Sequence, residues 1–110
     1  MLFGSKTQKI AKAVAKKKAD VLIKLTKDKD PAIRLAAMKG LGDIKSNDGF
    51  STMTFNLNDP DPAIRAAAAE GLGKLGDVHG KAHITFRMNK ETDPKALEAM
   101  HKAVSILKDY

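Results

Sequence analysis

The 110-residue chain contains no cysteine and no tryptophan, and only 5% of its residues are aromatic. Without cysteine there is no disulfide framework, no thiolate zinc site and no cysteine nucleophile, which fits a reducing intracellular setting. No segment approaches the roughly 18 apolar residues of a membrane span, and the N-terminus lacks the apolar core of a signal peptide. We therefore expect a cytoplasmic protein without a membrane partner.

The residues that are plentiful favour helices and carry positive charge. Hydrophobic residues make up 43% of the chain and the net charge is +7. Much of the hydrophobic fraction is alanine, the best helix former, which predicts closely packed helices in one domain, residues 1–110. The basic balance allows nucleic-acid, anionic-membrane or acidic-protein partners without choosing among them.

One five-residue motif is repeated. DPAIR occupies 30–34 and again 61–65, and a third Asp-Pro pair, at 93–94, follows at nearly the same spacing. The similarity extends over 28–44 and 59–75, with a weaker third copy at 91–107. A fixed period of this length is typical of stacked structural repeats.

Each Asp-Pro pair predicts the start of a helix. Asp30, Asp61 and Asp93 are suited to N-capping, because an aspartate carboxylate accepts hydrogen bonds from free N–H groups of the first turn. Proline suits the next position, where its missing N–H costs nothing. Gly73 and Gly76 are expected to end the second such helix. Gly40 and Gly71 recur inside helices at a cost of about 1 kcal/mol each, which indicates close helix approach there.

Two segments that precede these helices are ambiguous. Segments 49–58 and 81–89 alternate apolar and polar residues as a strand does, yet Phe50, Met53 and Leu57 also share one helical face. Equivalent units should stack alike, so we predict helices, with a strand or irregular segment as the alternative.

The segment NDPDPAIRAAAAEGLGKLGD, residues 58–77, resembles the short HEAT-like repeats also found in phycobilisome lyases. The resemblance extends over roughly 19–107 and implies an all-α fold. The expected architecture is a right-handed α-α solenoid of about three helix pairs after an N-terminal basic helix. The expected boundaries are 5–18 for this helix and 19–45, 46–77 and 78–110 for repeats 1 to 3.

The resemblance also implies a ladder of polar contacts between stacked repeats. In HEAT repeats an aspartate in the turn and an arginine six residues later form its rungs. The matching residues here are Asp28 with Arg34, and Asp59 with Arg65. The third copy has Glu91 and Leu97 instead, so we expect the ladder to end there, as suits a terminal repeat.

No catalytic residue, metal ligand or cofactor site is predicted. The aspartates recur because the fold recurs, whereas acid–base catalysis needs two carboxylates in distinct environments. His79 and His83 have a spacing that could share a metal, but no third ligand stands out, and surface histidines are the simpler interpretation. No glycine-rich phosphate loop precedes a helix.

The predicted function is a non-enzymatic scaffold or adaptor that binds a protein partner. The resemblance implies that the second helices line the concave side, which carries the partner. Positions that differ between aligned repeats are the ones that the scaffold does not dictate. The candidate partner-binding residues are Leu35, Met38, Lys39, Ala66, Ala69, Glu70, Glu98, His101 and Lys102. The alternative for Leu35 and Met38 is packing against the N-terminal helix.

Two other functions stay open. A nucleic-acid-binding module would use the lysine cluster at 6–18, with Lys9, Lys12 and Lys16 on one helical face, although a solvated face explains it too. An accessory or relative of bilin lyases rests on the repeat type alone. Only about three repeats are present, so the exposed solenoid ends allow a homodimer.

Overall fold

The computed structural model describes residues 5–107, and these form seven α-helices and no strand. Helices α2 to α7 make three consecutive pairs, so the all-helical repeat architecture is confirmed, while the right-handed sense of the superhelix stays a prediction. None of the helices in this range has the length and apolar character that crossing a bilayer requires. The helices are α1 Ser5–Ala15, α2 Ala19–Leu25, α3 Pro31–Asp43, α4 Asn47–Asn56, α5 Pro62–Leu75, α6 His79–Met88 and α7 Pro94–Ile106.

The two ambiguous segments are helical over 49–56, in α4, and over 81–88, in α6, so the helix prediction for them is confirmed apart from their last one or two residues. Met53 and Leu57 are buried and Phe50 is partly buried, as one helical face requires. A strand alternation would bury Phe55 on the same side as Met53, but Phe55 is 78% exposed. The helical period therefore decides which apolar side chains enter the core.

The Asp-Pro pairs begin the second helix of each repeat, as predicted. The carboxylates of Asp30, Asp61 and Asp93 each accept a hydrogen bond from a backbone N–H in the first turn, at 2.9–3.0 Å. Proline follows directly in all three helices. The aspartates are thus capping residues that fix where α3, α5 and α7 start.

Two predicted helix ends differ from the structure. Gly76, at φ 80°, ends α5, but Gly73 lies inside α5 and is buried. A Cβ atom on Gly73 would lie 3.3 Å from the Cα of Ala103, so this glycine serves close packing.

The N-terminal helix α1 ends at Ala15 instead of residue 18. Lys17 adopts a left-handed backbone with φ 56°, and the N–H of Lys18 donates to the carbonyl of Ala13 at 2.8 Å. This hydrogen bond closes the helix in a Schellman motif. The predicted helix included Lys16, Lys17 and Lys18, which lie in this C-terminal turn instead.

The three helix pairs form two layers. We call α2, α4 and α6 the first helices and α3, α5 and α7 the second helices. Helix α5 packs most extensively against α3 and α7, whereas the first helices touch one another far less. Glycine permits this tight layer, since a Cβ on Gly42 would lie only 2.8 Å from the Cα of Gly71. The predicted close approach at Gly71 is thus confirmed.

Helix α1 covers the outer side of the first repeat. Ile10 and Ala13 are buried, and Val14 packs over Gly40, where an added Cβ would lie 3.0 Å from its Cγ2 atom. The Nζ atom of Lys6 is 2.7 Å from Oδ1 of Asp28. The prediction that a basic helix packs on the first repeat is therefore correct, and its remaining lysines face outward.

Candidate functional site

A groove runs over the second helices. It has a volume of about 410 Å³, and α3, α5 and α7 all contribute to its walls. We call it the second-helix groove. Its walls combine small apolar side chains with charges of both signs: Leu35, Lys39, Asp61, Pro62, Ala63, Ala66, Ala67, Glu70, Asp93, Lys95 and Ala99.

Four of the predicted partner-binding residues line this groove, namely Leu35, Lys39, Ala66 and Glu70. Met38 and Ala69 have no exposed surface, so their assignment to a binding face requires correction. Both side chains point into the core, on the buried faces of α3 and α5. Their burial explains why they are apolar, without a binding partner. Leu35 packs partly against the core while still lining the groove.

The predicted residues of α7 fall elsewhere. Glu98, His101 and Lys102 are exposed, but the groove wall from α7 is built by Lys95 and Ala99. Alignment of repeats selects equivalent positions, whereas a groove between neighbouring helices is lined by non-equivalent ones. The groove could have been predicted from the small residues Ala63, Ala67 and Ala99, because small side chains leave space between packed helices.

The ladder between repeats contains one complete rung. Nε and Nη2 of Arg65 donate to Oε1 and Oε2 of Glu91 at 2.7 and 2.8 Å. Nη1 of Arg65 donates to the carbonyls of Asp59 and Pro60 in its own turn, at 2.8 and 3.2 Å. The side chain of Glu91 is fully buried. The forked hydrogen bonds from Arg65 outweigh burial and lower the pKa of Glu91 to about 2.

The rung expected one junction earlier is not formed. Nη1 of Arg34 donates to the carbonyls of Asp28 and Lys29, at 2.8 and 3.2 Å, but within residues 5–107 Arg34 has no carboxylate partner. Asp59 is one methylene shorter than Glu91, and its Oδ2 accepts from the N–H of Asp61. The complete rung therefore joins Arg65 of the second repeat to Glu91 of the third.

Beyond Glu91 the ladder has no further arginine, since Leu97 stands at that position. Helix α7 nevertheless packs closely on α5, with Ala103 against Gly73. The third repeat thus keeps its stacking through small-residue packing.

Of the predicted nucleic-acid residues, Lys9 and Lys12 are exposed on α1, and Lys16 is exposed in the turn directly after it. A second cleft, of about 590 Å³, lies between α1 and α2. Its walls carry five lysines and two aspartates: Lys6, Lys9, Lys24, Lys27, Lys29, Asp20 and Asp28. The ion pair with Lys6 is the main cause that lowers the pKa of Asp28. The structure thus places Lys24 of α2, and Lys27 and Lys29 of the turn after it, in one cleft with Lys9. Lys12 and Lys16 lie outside the cleft.

The two spaced histidines have separate surroundings. Nδ1 of His79 is 2.7 Å from Oδ1 of Asp77, and the backbone N–H of His79 is the main cause that lowers the pKa of that carboxyl. His83 instead lies edge-on to Phe50, with ring centroids 6.2 Å apart. In the described part of the chain, no cluster of three or more histidine or acidic side chains could hold a metal ion.

Comparison with known proteins identifies the repeat. A family model described as HEAT repeats matches residues 19–105. No curated protein matches the sequence significantly. The phycobilisome-lyase type of repeat stays a prediction from the sequence.

Two crystal structures of epoxyqueuosine reductase are similar to the chain. One, with an epoxyqueuosine-modified tRNA-Tyr stem loop, has 29% identity and a TM-score of 0.66, and the match covers 70% of this chain and 21% of that one. The other, selenomethionine-labelled, has 30% identity and a TM-score of 0.65, with coverages of 69% and 20%. This chain therefore corresponds to about a fifth of those proteins.

Proposed function

Because the chain belongs to the HEAT repeat family, we propose that it is a non-enzymatic adaptor that binds a segment of a partner protein in the second-helix groove. The observation that carries this proposal is the wall of that groove. Leu35, Ala66 and Ala99 offer apolar surface, and Lys39, Glu70 and Lys95 add charges of both signs. An apolar surface rimmed by polar groups is typical of protein interfaces.

The groove is also built on the three helices that pack most extensively against one another. Its walls belong to α3, α5 and α7, which the Asp-Pro caps and the glycine contacts hold in place. A preformed surface costs little ordering on binding, so a modest groove can still give a specific complex.

Substitution of one groove residue tests the proposal. Ala66→Arg places a long charged side chain in the groove, and Arg can direct its charge to water without unfolding the helix. Thr85→Arg on α6 is the matched control, because Thr85 is exposed on the first-helix layer. Proteins captured by the wild-type chain are purified and their affinities are measured directly. We expect Ala66→Arg to weaken binding at least about tenfold, an effect of roughly 1.4 kcal/mol.

The control should bind like wild type, and both variants should keep their helical circular dichroism. Equal binding by wild type and Ala66→Arg would contradict the groove as the site. Turnover of a small molecule by the purified chain, with no protein ligand found, would contradict the adaptor function itself.

A second candidate function is nucleic-acid binding through α1 and α2. The observation in its favour is the cleft with five lysines, Lys9 among them, together with the exposed Lys12 of α1 and Lys16 directly after it. One of the similar structures is that of epoxyqueuosine reductase with a tRNA stem loop, and the stem loop is a feature of that structure. Lysines neutralise phosphates without reading bases, so such binding would be sensitive to salt and tolerant of sequence.

Charge reversal distinguishes this candidate from non-specific attraction. Changing Lys9, Lys12 and Lys16 to glutamate should weaken duplex RNA or DNA binding and flatten its salt dependence. The matched control reverses three lysines of the second helices, Lys39, Lys95 and Lys102, and changes the net charge equally. Equal loss in both triple variants would show that overall charge, not α1, governs binding.

Three further statements stay predictions. These are the cytoplasmic location, a homodimer through the solenoid ends, and a relationship to bilin lyases. Sedimentation of the purified chain over a range of concentrations tests the homodimer.

A further inference from the structure

The two junctions between repeats are built from equivalent residues but differ at one contact. At the second junction, Arg65 uses Nη1 for its own turn and points Nε and Nη2 at Glu91. At the first junction, Arg34 uses Nη1 in the same way. Its Nε and Nη2 atoms make no hydrogen bond to any residue between 5 and 107. The guanidinium fork of Arg34 is therefore in place without a carboxylate.

A cavity of about 720 Å³ occupies the place of the missing rung. We call it the Arg34 pocket. Its walls come from the end of α2, from α4 and from the turns that precede α3 and α5. Residues that matter for binding are Arg34 itself, Lys27 and Lys29 beside it, the polar Ser51 and Asn56, and Phe55. Phe55 is 78% exposed and offers an apolar surface in the same pocket.

The acidic residues of the pocket already have partners. Asp28 pairs with Lys6 and also accepts from the N–H of Asp30. Asp59 and Asp61 each accept a backbone N–H two residues further on. In contrast, neither Lys27 nor Lys29 forms an ion pair within the described range. Each aspartate of the pocket thus already accepts a hydrogen bond, whereas the Nε and Nη2 atoms of Arg34 have no acceptor within the described range.

We propose that the Arg34 pocket binds a carboxylate side chain of an acidic segment in a protein partner. The carboxylate accepts the forked hydrogen bonds from Nε and Nη2 of Arg34, as Glu91 does from Arg65, and a neighbouring apolar residue packs on Phe55. The inference rests on the proposed adaptor function for the class of partner, but it names a second contact site outside the second-helix groove.

Charge selects a carboxylate over a phosphate. Three aspartates, Asp28, Asp59 and Asp61, line the same pocket. They disfavour a dianionic group or a polyanionic backbone more than a single carboxylate. The planar carboxylate also fits the guanidinium fork in two parallel hydrogen bonds. The rung at Arg65 shows this geometry within the same chain.

The direct test uses a capped peptide of sequence ALELA and its ALQLA counterpart, which differs only by the charge. Binding is followed by NMR titration of the full chain, with the backbone amides of Ser51 and Phe55 as reporters in every variant and the Nε–H resonance of Arg34 as a further reporter where that residue is present. We expect ALELA to bind with a Kd near ~1 mM, and ALQLA at least about tenfold more weakly. Arg34→Gln should abolish the difference, and Arg34→Lys should reduce it, because lysine lacks the fork. Lys18→Gln, outside the pocket, is the charge-matched control.

A second variant leaves Arg34 unchanged. Asp59→Glu lengthens the acid by one methylene, and Glu91 shows that a glutamate two residues before the capping aspartate can serve both the turn and the fork. We therefore expect Glu at this position to form the missing rung and to weaken ALELA binding at least about tenfold. Unchanged binding in Asp59→Glu, or equal affinity for the two peptides, would overturn the inference.

Inorganic phosphate is the third arm of the titration. If it displaced ALELA from Arg34 at equal or lower concentration, the pocket would belong to phosphate ligands and the inference would fail. The peptide does not depend on the second-helix groove, so Ala66→Arg should bind ALELA normally. Failure of the peptide test therefore leaves the groove proposal standing, and failure of the groove test leaves this one standing.

Discussion

At the residue scale, the contact between Arg65 and Glu91 is a buried ion pair that joins the second and third repeats. Both side chains are largely buried, and each carboxylate oxygen receives a hydrogen bond from the guanidinium. A buried pair of this kind is costly to break from one side, because the remaining charge loses its counter-charge without regaining water.

Glu91→Gln should therefore lower the free energy of unfolding by about 2–3 kcal/mol at neutral pH. The folded-state pKa of Glu91, about 2, lies below its usual value of 4.5. The stability from this carboxylate is thus fully present above pH 4.5 and is lost as the pH falls towards 2. Urea unfolding of both proteins from pH 7 to pH 2 checks this. The difference between them should shrink over that window, and a difference independent of pH would contradict it.

Lys17 holds a left-handed backbone conformation that disfavours any residue with a Cβ atom. Lys17→Gly should raise the free energy of unfolding by about 0.5–1 kcal/mol. Lys17→Ala removes the same charge and keeps the Cβ, so it should leave stability nearly unchanged. Thermal unfolding of the three proteins decides, and equal stability of the Gly and Ala variants would count against this explanation.

Sequence reasoning identified the rung residues but not which rung forms. Asp28, Asp59 and Glu91 occupy equivalent positions, and the pattern favours the two aspartates. The outcome depends on one methylene of side-chain length and on how far apart the turns lie in space. Repeat alignment shows the side-chain lengths, but it carries no information on the distance between the turns. The same limit explains Met38 and Ala69, whose burial depends on the rotation of α3 and α5.

At the scale of the elements, close approach of the second helices depends on glycine. A Cβ atom on Gly42 would meet backbone of α5 at 2.8 Å, and backbone cannot move aside as a flexible side chain can. The cost of a glycine in a helix interior is thus offset by the packing that it permits.

Gly42→Ala should destabilise the fold by about 2–3 kcal/mol, because α3 and α5 must separate. Gly80→Ala is the matched control, since its nearest neighbours would lie at 3.5–3.6 Å, an ordinary contact distance. That variant should be neutral or slightly more stable, as alanine favours the helix. Chemical denaturation of both variants measures the contrast, and equal effects would refute the packing argument.

The starts of the second helices could be predicted because capping is local. Asp30, Asp61 and Asp93 carry the signal in their own side chains, and the structure confirms all three. The end of α1 was not predicted, because lysine, unlike the glycine at position 76, rarely adopts a left-handed conformation. Lys17 is held there by backbone hydrogen bonds that the sequence does not display.

At the scale of the whole molecule, helix α5 is the centre of the stack. It contacts α3, α4, α6 and α7, and eight of its residues are buried. Helix α6 lies at one side, with two buried residues. Because repeats contact only their neighbours, stability is a sum of local terms and need not be uniform.

Amide hydrogen exchange should therefore be slowest in α5. Its amides should exchange only through global unfolding, while those of α6 exchange through smaller local openings. Exchange measured by NMR across a denaturant series separates the two classes. Protection of α6 equal to that of α5 would show that the stack opens as a single unit.

The period of the sequence predicted the stacked helices, but not the grooves between them. The repeated sequence shows the features that all units share, such as the capping aspartates and the buried apolar residues of each helix. The second-helix groove and the Arg34 pocket arise where neighbouring units meet, at Ala99 beside Ala66, or at Phe55 beside Arg34. Which residues lie next to each other there depends on how neighbouring repeats are positioned in space. An alignment of the repeat sequences does not contain that information.

The two arginines also differ in how a carboxylate reaches them. Glu91 is tethered to Arg65 through the chain, so its effective concentration at the fork is high and constant. A carboxylate arriving at Arg34 has no tether, and its occupancy follows the concentration of whatever carries it. One junction is thus permanently closed and the other is reversible. A repeat protein can in this way convert a structural contact into a concentration sensor by shortening a single side chain.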